Sequence, residues 1–266
     1  ALGIFSGSDT LCERDTAYYT TKAQNPSYLY GGHNVGYDAR VRPFALCPVP
    51  ENAHSAQALG EYGGAPWGKL YERPVPLIRF CARRTLPCTK NGQTYHVKLP
   101  YAMQFAPWFR VRARGGEVLD VRSDRYAVNG GPGDANRYFG HRAEYICREG
   151  EQEFEMLDWI FGEELVLTVP GGVEVIALGV RESCFNCETT GHFECDDARV
   201  NRLFEKCVRT LRVCMRENYM DCPDRERGQW IGDVSVQAPQ VAYLLDANAM
   251  RLLRKAICDF INLRKE

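Results

Sequence analysis

The stretch DCPDRERGQWIGD, residues 221–233, sets four carboxylates, two guanidiniums and an indole close together: Asp221, Asp224, Glu226, Asp233, Arg225, Arg227 and Trp230. Carboxylates accept charge-assisted hydrogen bonds from hydroxyls, and an indole offers an apolar face with one N–H donor. Such a set favours a carbohydrate site. A solvated helix connection with salt links is the plainer reading of the same residues. Breaking a glycosidic bond needs a proton donor at the leaving oxygen and a second carboxylate that activates water or attacks the sugar carbon. Glu226 is the candidate donor. Free glutamic acid has a pKa of about 4.3, so donation at neutral pH needs partial burial or a neighbouring negative group. Arg225 and Arg227 would act the other way if aimed at Glu226. At least one is expected to turn toward Asp221, Asp224 or a ligand hydroxyl. Trp230, four residues on, either faces a sugar or plugs the core beneath the helices. Asp221, Asp224 and Asp233 either bind hydroxyls or cap helices, and Asp233 suits a helix beginning near Val234.

The elements that must position this stretch have two periodicities. Up to about residue 190 the chain reads as an antiparallel β-sandwich with an irregular N-terminal region. Candidate strands lie at 76–84, 94–100, 108–115, 116–123, 164–169 and 172–180, several alternating with period two, and turns fall at 90–92, 129–131 and 170–172. The Gly-, Asn- and Tyr-rich run at 25–43 reads as a surface traverse or a sugar-facing rim, with a dry structural role as the alternative. After Thr190, Val200, Leu203, Phe204, Cys207, Val208, Leu211, Cys214 and Met215 recur at spacings of three and four, which predicts a helix capped by Asp196 or Asp197. Second and third helices are expected at 234–245, with Pro239 inside, and at 247–263.

Residues 190–233 resemble the entry into the catalytic domain of bacterial α-L-rhamnosidases. The family segment runs approximately Asp-Cys-Pro-Gln-Arg-Asp-Glu-Arg, then Trp and Asp at fixed spacing. This chain supplies Asp221, Cys222, Pro223, Asp224, Arg225, Glu226, Arg227, Trp230 and Asp233. One position before the acidic residue is missing, and Asp224 stands where the family has Gln; aligned from Glu226 onward, the spacing to Trp230 and Asp233 is kept. Less specifically, 68–79 and 144–165 look like parts of the family's β-sandwich. The resemblance implies a β-sandwich over 1–190, followed over 191–266 by the first helices of a truncated (α/α)6 barrel. It implies hydrolysis of terminal α-L-rhamnosides with inversion. Glu226 is then the general acid, with Asp221, Arg225, Trp230 and Asp233 holding substrate. The general base comes from a later part of the barrel, and Glu266 is not assigned to it. The chain is thus expected to be an N-terminal portion of its parent enzyme, inactive alone. A carbohydrate-binding β-sandwich module without turnover is the rival.

Composition narrows the partners. With 33 Lys and Arg against 34 Asp and Glu, the net charge of −1 offers no electrostatic footprint for nucleic acid or an anionic membrane. No apolar run is long enough for a membrane span. The expected partner is a rhamnose-containing glycan or glycoside, with homo-oligomers left open. No cofactor or metal is expected, since two carboxylates can perform the reaction. The twelve cysteines are irregularly spaced and read as free thiols, with some disulfides as the alternative. Cys184, Cys187 and Cys195 with His192 are read as ordinary side chains rather than a zinc site. The compartment is left open, with an exported location favoured over the cytoplasm.

Overall fold

The structure, a computed structural model, describes residues 10–21, 34–45, 53–57, 59–60, 63–65, 68–69, 71–125, 141–224 and 226–262. A large mixed β region precedes three helices, as expected of a β domain leading into an α/α barrel. Strands β1 (Leu11–Cys12) and β4 (His54–Ser55) form a small ribbon. The main sheet joins β2 (Tyr18–Thr20), β3 (Val35–Asp38), β10 (Arg142–Ile146), β9 (Val118–Ser123), β12 (Ile160–Thr168), β8 (Thr94–Ala113), β13 (Glu174–Cys184) and β5 (Arg79–Phe80) in that spatial order. Off this path, β11 (Gly150–Glu155) and β7 (Thr89–Asn91) pair with β8, and β6 (Arg84–Thr85) pairs with β13. Among the described strands every pairing is antiparallel except β3 with β10.

The sequence predicts two strands, at 94–100 and 108–115, where the structure has the single strand β8. Its first part pairs with β12, from Thr94↔Thr168 to Phe105↔Ile160, and its second part with β13 and β11. Between these parts, Met103 to Phe109 are buried without alternation. One side packs into the sheet core through Met103, Phe105 and Phe109. On the other, Gln104 donates to the Val213 carbonyl at 2.6 Å. A strand covered on both faces loses the period-two signature. The core includes the aromatic nest Tyr37, Phe109, Tyr145 and Phe154, with Phe109 and Tyr145 edge to face at 5.2 Å.

Tyr37 is buried in that nest, so over 34–43 the Gly- and Tyr-rich run takes a structural role and not a rim. Residues 25–33, and the turn expected at 129–131, lie outside the described residues. The turns at 90–92 and 170–172 are present, with Gly92 at φ 59° and Gly172 at φ 96°, where a side chain would be disfavoured.

Helix α1 (Ala198–Val213) starts at Asp197, whose carboxylate accepts the Arg199 N–H. Helix α2 (Ile231–Leu244) contains Pro239, which removes one intrahelical N–H. Helix α3 (Ala247–Asn262) is capped by Asp246, which accepts the N–H groups of Asn248 and Ala249. Leu211, Met215, Tyr219, Val234, Val241, Leu252 and Ala256 form the core these helices share.

Candidate active site

The chain between α1 and α2 closes on itself in a loop that contains Glu226. The Asp221 N–H donates to the Gly228 carbonyl at 2.9 Å, and Gly228 N–H donates to Asp221 Oδ1 at 3.0 Å. Asp221 is therefore the clasp of a loop, whatever else its carboxylate does. Gln229 ties the loop to the helices: its Oε1 accepts the Tyr219 N–H at 3.1 Å, and its Nε2 donates to Asp259 Oδ2 on α3 at 3.2 Å.

Inside this loop Glu226 is buried, and the Trp230 indole N–H donates to its Oε2 at 2.8 Å. The two residues, four positions apart in sequence, are thus joined through their side chains. Trp230 is 48% exposed, so it is not the core plug considered from sequence. Because indole can only donate, Oε2 is held as an acceptor. A fixed acceptor bond restrains rotation of the carboxyl.

Asp224 attaches the loop to the β region in two ways. Asp224 Oδ2 accepts Arg125 Nε at 3.1 Å, and the Asp224 carbonyl accepts His141 Nε2–H at 3.0 Å. Burial, then the charge of Arg227, lowers the His141 pKa to about 3, so the ring is neutral and serves as a donor. Arg227 turns to the β region as well. Its guanidinium lies 3.5 Å from the centre of the Trp159 ring, and burial lowers its pKa to about 10. Its backbone is left-handed at φ 54°, a conformation that costs an L-residue about 1–2 kcal/mol.

Asp233 does not cap its helix. The helix begins at Ile231, the Val234 N–H donates to the Trp230 carbonyl, and Trp230 occupies the cap position without a side-chain bond to the helix. Asp233 sits in the first turn, where a negative charge suits the helix dipole. Arg225 lies outside the described residues. The structure thus joins Glu226 and Trp230 directly, places Asp221 as the clasp of their loop and sets Asp233 one turn beyond. It adds Trp159, Arg125 and His141, none of which the sequence marked: they come from the β region and carry no local motif.

Among the described residues no three His, Cys, Asp or Glu side chains gather as a metal site, so Cys184, Cys187, Cys195 and His192 do not form one. None of the described cysteines is joined in a disulfide, and burial pushes the Cys187 thiol up to about 11. No described helix is long and apolar enough to cross a membrane.

Residues 188–265, which contain the loop and all three helices, match the family described as the bacterial alpha-L-rhamnosidase 6 hairpin glycosidase domain. A GH78 family rhamnosidase of Bacillus sp. GL1 is 26% identical with a TM-score of 0.52, covering 63% of this chain and 18% of that protein. The α-L-rhamnosidase of Dictyoglumus thermophilum is 20% identical with a TM-score of 0.66, over 90% of this chain and 27% of the other. That of Streptomyces avermitilis, solved in complex with L-rhamnose, is 17% identical with a TM-score of 0.66, over 87% and 23% of the two chains. The last two likenesses show the fold alone. No curated protein sequence matches the chain. At family level these findings link the chain to glycoside hydrolases of the rhamnosidase kind. Its homology is to the six-hairpin rhamnosidases, distant and over part of its length, and it spans only 18% to 27% of the three proteins named.

Proposed function

We propose that the whole protein hydrolyses terminal α-L-rhamnosides with inversion, and that Glu226 protonates the departing oxygen. The observation that carries this reading is the buried Glu226 carboxyl held at Oε2 by the Trp230 indole, inside the segment that matches the rhamnosidase family. Trp230, half-exposed beside the acid, offers the rest of its ring to the sugar, and Asp221, Asp233 and Arg225 complete the substrate contacts. The resemblance assigns the general base to a later part of the helical domain than α1 to α3. In an inverting site the base stands about 6.5–9.5 Å from the acid, leaving room for the attacking water. A rhamnose-containing glycan or glycoside is the partner on this reading.

The test is the rate of phenol release from an aryl α-L-rhamnoside by the whole protein carrying this sequence, with proton NMR of the first-formed sugar. The expected result is rapid release of β-L-rhamnose, lost in Glu226→Gln. Retention of the α configuration would contradict the inverting mechanism. Full activity in the variant would remove Glu226 from the chemistry.

A further inference from the structure

Arg227 follows Glu226 in the chain but sends its side chain into the β region. Its guanidinium carbon lies 3.5 Å from the centre of the Trp159 ring, its Nη2 donates to the Trp159 carbonyl at 3.4 Å, and its Nε donates back to the Pro223 carbonyl at 3.2 Å. One side chain therefore grips the start of its own loop and a residue 68 positions earlier. The same indole receives a second cation: Arg216, just after α1, lies 4.6 Å from the ring centre. Arg216 Nη1 is held by Gln104 Oε1 at 2.7 Å and Ser183 Oγ at 3.0 Å, both on the sheet. Gathering two guanidiniums at one ring opposes their mutual repulsion, which the ring face and nearby Asp158 offset. The left-handed backbone of Arg227 is a further local cost. Such costs persist where surrounding structure over-determines them, and here they fall on the residue beside the acid.

We infer that Trp159, though it belongs to the β region, is a positioning residue for the reaction: through Arg227 it fixes the 221–230 loop and so sets where the Glu226 carboxyl meets the leaving oxygen. The inference rests on the reading of Glu226 as proton donor. It differs from direct sugar binding by Trp159, which also lines a cavity of about 290 Å³ with Phe80, Met156, Leu157, Asp158 and Arg216. A sugar platform acts on KM, whereas a misplaced acid acts on kcat and only for leaving groups that need a proton.

The experiment compares the whole protein with its Trp159→Ala, Trp159→Phe and Glu226→Gln variants on two aryl α-L-rhamnosides. One carries a 2,4-dinitrophenol that departs unaided, the other a phenol that must be protonated. Amide hydrogen exchange of residues 226–229 is followed in parallel. Displacing a catalytic group by about 1 Å can cost roughly 10²-fold. Trp159→Ala is expected to lower kcat for the phenyl substrate by about 10- to 100-fold, on that basis, with a small loss for the dinitrophenyl one, KM nearly unchanged and faster exchange in the loop. Trp159→Phe, which keeps an aromatic face for Arg227, is expected to recover most of the rate. Equal losses on both substrates, an effect confined to KM, or unchanged exchange would overturn the inference. If Glu226→Gln shows no dependence on leaving group, the reading of Glu226 fails, and the exchange measurement still decides whether Trp159 fixes the loop.

Discussion

The sheet and the 221–230 loop are held by different means. In the sheet, Phe109, Tyr145 and Phe154 are ordered by burial, and many neighbours share the work of any one of them. The loop is ordered by directional contacts, among them Asp221 to Gly228, Asp224 to Arg125, Arg227 to Trp159, Gln229 to Asp259, and Trp230 to Glu226. Burial is non-directional and roughly proportional to area, so it tolerates small shifts. A chain of hydrogen bonds and ring contacts specifies angle as well as distance. The molecule thus places its stability in one region and its aim in the other, with the β region reaching across to hold the loop.

Substitutions in each region test that division. The largest stability effect belongs to the sheet: Phe109→Ala should lower the unfolding free energy by about 3–5 kcal/mol in urea titration, as large-to-small changes in a close-packed core do. A similar loss from any single loop contact would erase the distinction. Next is pH. His141 has its pKa lowered to about 3 in the folded state against 6.5 ordinarily, so the unfolded chain binds the extra proton and stability falls as pH drops below 6.5. Wild type should lose about 2 kcal/mol more than His141→Gln between pH 7 and 5. Equal slopes would show that the ring titrates normally. Smaller again is Asp221→Ala, expected to cost about 1.5 kcal/mol through the Gly228 N–H it leaves without its acceptor. Loop amides should then exchange faster while sheet amides stay protected. The smallest is Trp230→Phe, which removes one N–H donor to Glu226. It should slow catalysis about fivefold, equivalent to roughly 1 kcal/mol, with little change in Tm.

The same division decides what could be read from sequence. Strand β9 was legible because one face is buried, with Leu119, Val121 and Ser123 at a period of two, and helix α1 because its apolar residues recur at three and four, although Val200 and Leu203 stay exposed and only Val208, Leu211 and Val213 are buried within it. Strand β8 was read as two strands because Met103 to Phe109 are covered on both sides and show no alternation. Strand β3 was missed because Gly36 looks like a loop residue. In the structure its bare Cα lets the Tyr19 ring lie across it, where a Cβ would come within 2.1 Å of Tyr19 Cζ. In the loop, Glu226 and Trp230 were marked by residue type, but the bond between them was not read from the sequence, the helix start was misplaced by three, and the cap considered for Asp233 is not formed. Trp159, Arg125 and His141 were invisible because their partners lie 68 to 99 positions away, beyond any local pattern.

The central claim is that Glu226 delivers a proton to the leaving oxygen. Its most direct test is the ratio of kcat/KM for wild type and Glu226→Gln on the same pair of aryl α-L-rhamnosides, dinitrophenyl and phenyl. General acid catalysis contributes typically 10²–10⁴-fold. A loss of about that size on the phenyl substrate, largely absent on the dinitrophenyl one, is the result predicted. The same loss on both, or none on either, would contradict the claim.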